Sequence, residues 1–247
     1  MSSNYELAIT LPSKGVLYSD EALKGEIIIS MLTTKDEKEI FGSSNIANVL
    51  DNLIRRHTKP QVNPDELLQG DYMYILFKLR QLSYGDEYTT EEFCNACGED
   101  RKFKYNISDI QVYDNELQKT YTSKMPISGD IVEWRLLTNG DFKRMDKDIK
   151  QSGERIKNFN KSAERYVQLV ERALVSINGN ELKPGEARAY VENMVGRDSA
   201  FIRNEMGNIK TGLRETVLAT CTVCGNEQEV SVAMNGEFFR PDFDVNS

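Results

Sequence analysis

A single histidine, His57, serves the whole 247-residue chain, and that scarcity narrows its chemistry. General acid–base catalysis near neutrality and metal-assisted hydrolysis lean heavily on histidine. Nor does the sequence hold a phosphate-cradling GxxxxGK or GxGxxG run, or the GxSxG turn that presents a nucleophilic serine. Its glycines are dispersed as turns and caps, so neither an enzyme nor a small-molecule substrate is expected. No apolar run approaches the roughly 20 residues that span a bilayer. The opening stretch MSSNYELAITLPSKG lacks the basic patch and apolar segment of a signal peptide, and none is expected. Basic residues are outnumbered, 31 Lys and Arg against 39 Asp and Glu, for a net charge of −8. Domains that bind nucleic acid usually carry the opposite balance, because phosphates must be neutralised. Nucleic acid is therefore not an expected partner.

Cysteine is also sparse, and its placement is informative. The only four are Cys94, Cys97, Cys221 and Cys224, in the turns Cys94-Asn95-Ala96-Cys97-Gly98 and Cys221-Thr222-Val223-Cys224-Gly225. A Cys-x-x-Cys-Gly turn is a zinc knuckle: two sulfurs converge on a metal, and glycine permits the tight backbone behind them. A closed structural site needs four ligands, so the two knuckles are expected to complete one zinc between distant parts of the chain. Paired Cys-x-x-Cys without a secretion signal favours metal over disulfides. Four thiolates leave no open coordination position, which makes the zinc structural. Four free thiols are the alternative. His57 is not needed as a ligand and reads as a solvated helix end.

The surroundings of the knuckles repeat as well. An ungapped offset of 127 that pairs Cys94 with Cys221 also pairs Asp71 with Asp198, Ile75 with Ile202, Gly85 with Gly212 and Thr89 with Thr216. Further upstream, Met31-Leu32-Thr33 faces Leu136-Leu137-Thr138 at an offset of 105, so the second copy carries 22 extra residues. A turn opens each copy, Leu11-Pro12-Ser13-Lys14-Gly15 and Met125-Pro126-Ile127-Ser128-Gly129. The pattern reads as a divergent tandem duplication, residues 1–120 and 121–247, giving paired pseudo-symmetric lobes and not a solenoid of many short units. The extra segment, Asp146–Arg165, is polar and reads as a solvated helical face.

Strands are expected over residues 5–11, 25–32, 87–93, 101–107, 131–137, 216–220 and 228–233. Thr33 and Asn45 read as helix caps, the latter before the stripe Ile46, Val49, Leu50, Leu53, Ile54. Asn63-Pro64-Asp65-Glu66 reads as a helix start. Asp71 and Asp198, each preceding an apolar stripe, read as N-caps and not as a carboxylate dyad. The spacing of Tyr166, Val167, Val170, Ala173, Leu174 and Ile177 predicts one helix ended by Asn178-Gly179. Another follows Lys183-Pro184-Gly185 and stops at Gly196. Phe238, Phe239 and Phe243 in the tail either pack back on the body or engage a partner.

Leu11–Gly15, Met31–Glu37, Gly70-Asp71, Arg80–Tyr88 and Cys94–Gly98 occur together in an order that resembles one family, the small baseplate hub and hub-assembly proteins of T-even-like contractile-tailed phages. The resemblance covers the first copy well and the second only through the duplication. Thr138-Asn139-Gly140-Asp141 and Gly207–Gly212 depart from the first-copy pattern, which implies a changed contact surface there. The resemblance implies a non-enzymatic structural or assembly role, other hub or tail proteins as partners, and residence in the host cytoplasm during assembly or in the virion baseplate. From the residues alone, the alternative is a zinc-ribbon adaptor in transcription or regulation. The expected fold is α+β: two lobes, each a small antiparallel sheet with helices, joined at a shared four-cysteine zinc ribbon.

Overall fold

The computed structural model describes residues 5–19, 21–157, 159–183, 185–232, 234 and 238–239. The first half runs β1 (Glu6–Thr10), β2 (Glu26–Ser30), α1 (Thr34–Gly42), α2 (Ile46–His57), β3 (Thr58–Lys59), α3 (Gln69–Tyr84), β4 (Glu87–Cys94) and β5 (Glu99–Asn106). The second runs β6 (Tyr121–Lys124), β7 (Ile131–Trp134), α4 (Asn139–Arg155), α5 (Lys161–Ala173), β8 (Leu174–Ile177), β9 (Asn180–Glu181), α6 (Glu186–Asn193), α7 (Gly196–Asn208), β10 (Thr216–Cys221) and β11 (Glu227–Ser231). Among the described residues three antiparallel sheets form, ordered β1-β2-β3, β6-β7-β8-β9 and β11-β10-β5-β4. The third combines a hairpin from each half. The fold is mixed α+β with small antiparallel sheets.

The two halves start their first helix in the same way. Thr33 precedes α1 and Thr138 precedes α4, each in a capping box with the aspartate three residues on, Asp36 and Asp141. Asn45 caps α2, accepting from the Asn48 amide at 3.3 Å. Asp71 and Asp198 do not cap their own helices, whose first residues are Gln69 and Gly196. Instead each sits in the first turn and reaches back to the loop that opens its half. Asp71 accepts from the Ser13 amide at 3.0 Å, from the Ser13 hydroxyl, and from Tyr18 Oη at 2.5 Å. Asp198 accepts from the amides of Ile127 and Ser128 at 2.8 and 3.0 Å. The carboxylates thus satisfy donors of a distant loop that neither strand nor helix could reach.

Several local expectations give way to tertiary context. His57 is not solvated: it is buried, with Nδ1 3.0 Å from Ser30 Oγ and Nε2 3.0 Å from Asp36 Oδ2. Asn63–Glu66 is a turn, not a helix start. Leu174 and Ile177 belong to β8, because the helical stripe ends at Ala173 and Asn178-Gly179, both at positive φ, makes the two-residue hairpin turn to β9. Gly196 begins α7 and does not stop a helix. Of the tail aromatics, Phe243 lies outside the described residues, while Phe238 and Phe239 are buried and pack back on the body. The Phe238 ring lies 4.5 Å from Phe77 and 5.4 Å from Tyr88, centroid to centroid.

Among the described residues two apolar cores form. One joins the β1-β2-β3 sheet and α1–α3 with Phe103, Tyr105, Val217, Val230, Phe238 and Phe239, so residues from both ends of the chain share it. The other is built within the second half around Val132, Trp134, Val170 and Ile202. Leu136 and Ile209 pack against both cores, and the seam between the cores also carries polar and backbone-close contacts. Asn139 N donates to Leu67 O at 2.7 Å and Gly140 N to Asp65 O at 2.9 Å. Lys143 Nζ reaches both Asp51 and Asp65. A Cβ on Gly70 would lie 2.5 Å from the Thr211 carbonyl carbon, and one on Gly212 only 2.4 Å from Gly70 Cα. Residues 138–141 and 207–212 therefore lie at a contact between the halves. Beyond each hairpin the chain also crosses over: Arg214 N donates to Gln111 O at 2.8 Å, and Arg80 Nε to Phe238 O at 3.1 Å.

Candidate metal centre

Both Cys-x-x-Cys-Gly segments fold into the same turn at the tip of a hairpin. Gly98 N donates to Cys94 O at 2.8 Å and Gly225 N to Cys221 O at 3.0 Å. The two glycines adopt φ of 74° and 73°, a conformation open to glycine and costly for most other residues. β4 and β5 are paired from Glu87↔Asn106 to Cys94↔Glu99, which fixes the first turn. β10 pairs β11 on one side and β5 on the other, through Thr220↔Lys104 and Cys221↔Phe103. That last register brings the second turn alongside the first.

The four sulfurs all lie within 4.8 Å of one another, and Cys94 Sγ is 3.8 Å from Cys224 Sγ. No pair is a disulfide, which would hold its sulfurs about 2 Å apart. A tetrahedral ion with metal–sulfur bonds of about 2.3 Å separates its ligands by about 3.8 Å. The donor set and its spacing therefore fit one closed four-thiolate site. Two of the sulfurs are buried, one is half-buried, and that of Cys224 is exposed. Among the described residues, no other group of three or more His, Cys, Asp and Glu side chains is spaced to hold a metal. His57 takes no part, being engaged by Ser30 and Asp36.

Amide and cationic donors surround the sulfurs. Cys97 N lies 3.4 Å from Cys94 Sγ. The backbone amides of Cys224 and Val223 draw the Cys221 thiol down to about 7. Hydrogen bonding to Cys224, followed by burial, pushes Cys97 up to about 12. Arg101 pairs with Glu99 and also approaches Cys97, placing a cation beside the cluster. Three supports escape a sequence reading. Gln228 Nε2 donates to Phe93 O at 2.8 Å while its Oε1 accepts from Asn95 N at 3.1 Å. Thr222 binds Lys102 O through both its amide and its hydroxyl. Arg101 completes the set. Only the hairpin register reveals them, since nothing in their spacing marks them as ligand supports.

A family model described as T4 bacteriophage base plate protein matches residues 2–240. The chain belongs to this family. Membership supports a structural baseplate role and implies contacts with other phage tail proteins. No curated protein and no solved structure matches this baseplate protein. Among its described residues, no helix is long and apolar enough to cross a membrane.

Proposed function

We propose that this baseplate protein is a non-enzymatic structural or assembly component of the baseplate hub, its two halves closed on one structural zinc by Cys94, Cys97, Cys221 and Cys224. The observation that carries the reading is the convergence of two knuckles, far apart in the chain, on one four-sulfur cluster. The closed thiolate set has no open position for a substrate. Its partners in this reading are other hub and tail proteins, met in the host cytoplasm during assembly or in the virion tail baseplate. The division into copies 1–120 and 121–247 belongs to the same reading. It is supported by paired features: Thr33–Asp36 and Thr138–Asp141, Asp71 and Asp198 on their opening loops, and the two knuckles.

The test is complementation. Cells infected with phage lacking the gene are supplied with the parent chain or with Cys221→Ser, and the hubs and finished virions are purified and analysed by mass spectrometry. The parent chain should restore hubs and co-purify with hub subunits, and Cys221→Ser should restore few. Normal hubs in the complete absence of the chain would refute the role.

A further inference from the structure

The sheet that carries the knuckles buries only one face. Tyr88, Phe103, Val217 and Val230 point into the first core. On the opposite face, cross-strand pairing lines up Phe93 with Asp100, Glu91 with Lys102 and Leu218 with Glu229. Phe93 is 54% exposed and Leu218 58%, and Val223 at the second knuckle is 67% exposed. Single exposed apolar side chains are ordinary. Here Phe93 lies at the knuckle end, its backbone fixed by the Gln228 bonds to Phe93 O and Asn95 N, Val223 sits on the neighbouring knuckle, and Leu218 lies further along β10, so the sheet offers apolar side chains along its length.

The charge around them is one-sided. Residues 87–106 and 216–231 hold seven carboxylates against three basic side chains, which is half of the chain's net charge of −8. A filled four-thiolate zinc site would add two more negative charges. Next to Leu218, β5 and β10 diverge after their two paired residues and leave a hollow of about 530 Å³. Its walls include Asp109, Glu227 and Glu229 together with Lys104 and Arg214. A nucleic acid or a second acidic copy of this chain would be repelled by such a face. A basic protein segment would not.

We propose that this outer face is a docking surface for a Lys/Arg-bearing segment of another tail protein. Phe93, Leu218 and Val223 supply the apolar contact, the rim carboxylates meet the basic side chains, and the hollow beside Leu218 receives one of them. The proposal rests on the baseplate reading and places its partner surface. Full-length protein is titrated against each purified tail protein of the same phage at about 0.05 M and about 0.3 M salt. The variants are Phe93→Ser with Leu218→Ser, and separately Glu227→Lys with Glu229→Lys, each checked for metal content and circular dichroism. Ile156→Ser, an exposed apolar position away from the sheet, is the control. One tail protein should bind the parent and the control alike, weaken about tenfold at the higher salt, and lose about tenfold or more with each double variant. Should the first double variant lose its metal, the charge-reversal pair decides. Binding that is insensitive to salt or unchanged in the double variants overturns the docking surface and leaves the baseplate role standing. A parent chain that binds no tail protein overturns both.

Discussion

Asp71 and Asp141 are buried aspartates with opposite acid–base character. Burial alone would raise Asp141, but hydrogen bonds from Arg135, the Thr138 amide and Arg144 outweigh it and hold the carboxyl well below its ordinary value. Its stabilisation is complete above the unfolded carboxylate pKa of about 3.9 and is lost as pH falls through the folded value. For Asp71, burial prevails over the bonds from Ser13 and Tyr18, and the pKa is raised. Its contribution is complete below about 3.9 and is lost as pH rises through the folded value. Asp141→Asn should cost about 2 kcal/mol or more at pH 7, and the gap from the parent should shrink on acidification. The gap for Asp71→Asn should instead widen. Urea midpoints at pH 7 and in acid check both signs, and parallel pH trends for the two variants would contradict this assignment.

At the scale of elements, the periodic stripes predicted most of the helices and strands, because one-sided burial is written in local spacing. α2 buries four of the five residues read for its stripe, Val49, Leu50, Leu53 and Ile54, while Ile46 at its first turn is exposed. β8 was hidden because Leu174 and Ile177 continue the helical spacing of α5, and only pairing with β7 turns them into a strand. The four cysteines were legible from spacing alone, whereas the tail was ambiguous: nothing in Phe238-Phe239 says what it packs against. Since the structure seats Phe238 against Phe77 and Tyr88, Phe238→Ala should cost about 3 kcal/mol by leaving a cavity. Calorimetry should show a lowered melting temperature, while a melting temperature like the parent's would mean the tail is not part of the core. Gly70 and Gly212 meet with no room for a side chain, and Gly212 also has φ of +81°. Gly212→Ala should loosen the seam, seen as faster amide exchange at Arg214, whose N–H bonds Gln111 O.

For the whole molecule, the decisive feature is that the knuckle sheet belongs to the first core, while the second core has its own buried residues and meets the first through Leu136 and Ile209. The seam has holds besides the cysteines, namely Asn139 and Gly140 on the 65–67 loop and Lys143 on Asp51 and Asp65. Chelation, or Cys221→Ser, should therefore loosen the hairpin tips and leave most of the helical circular dichroism intact. Loss of all helical signal at room temperature would show that neither core stands without the metal. The most direct test of the account is native mass spectrometry of anaerobically purified protein, with the metal identified by elemental analysis. The account predicts one zinc per chain, and none after replacement of Cys94, Cys97, Cys221 or Cys224 by serine. Two metals per chain, or a parent protein that purifies anaerobically without any, would contradict it.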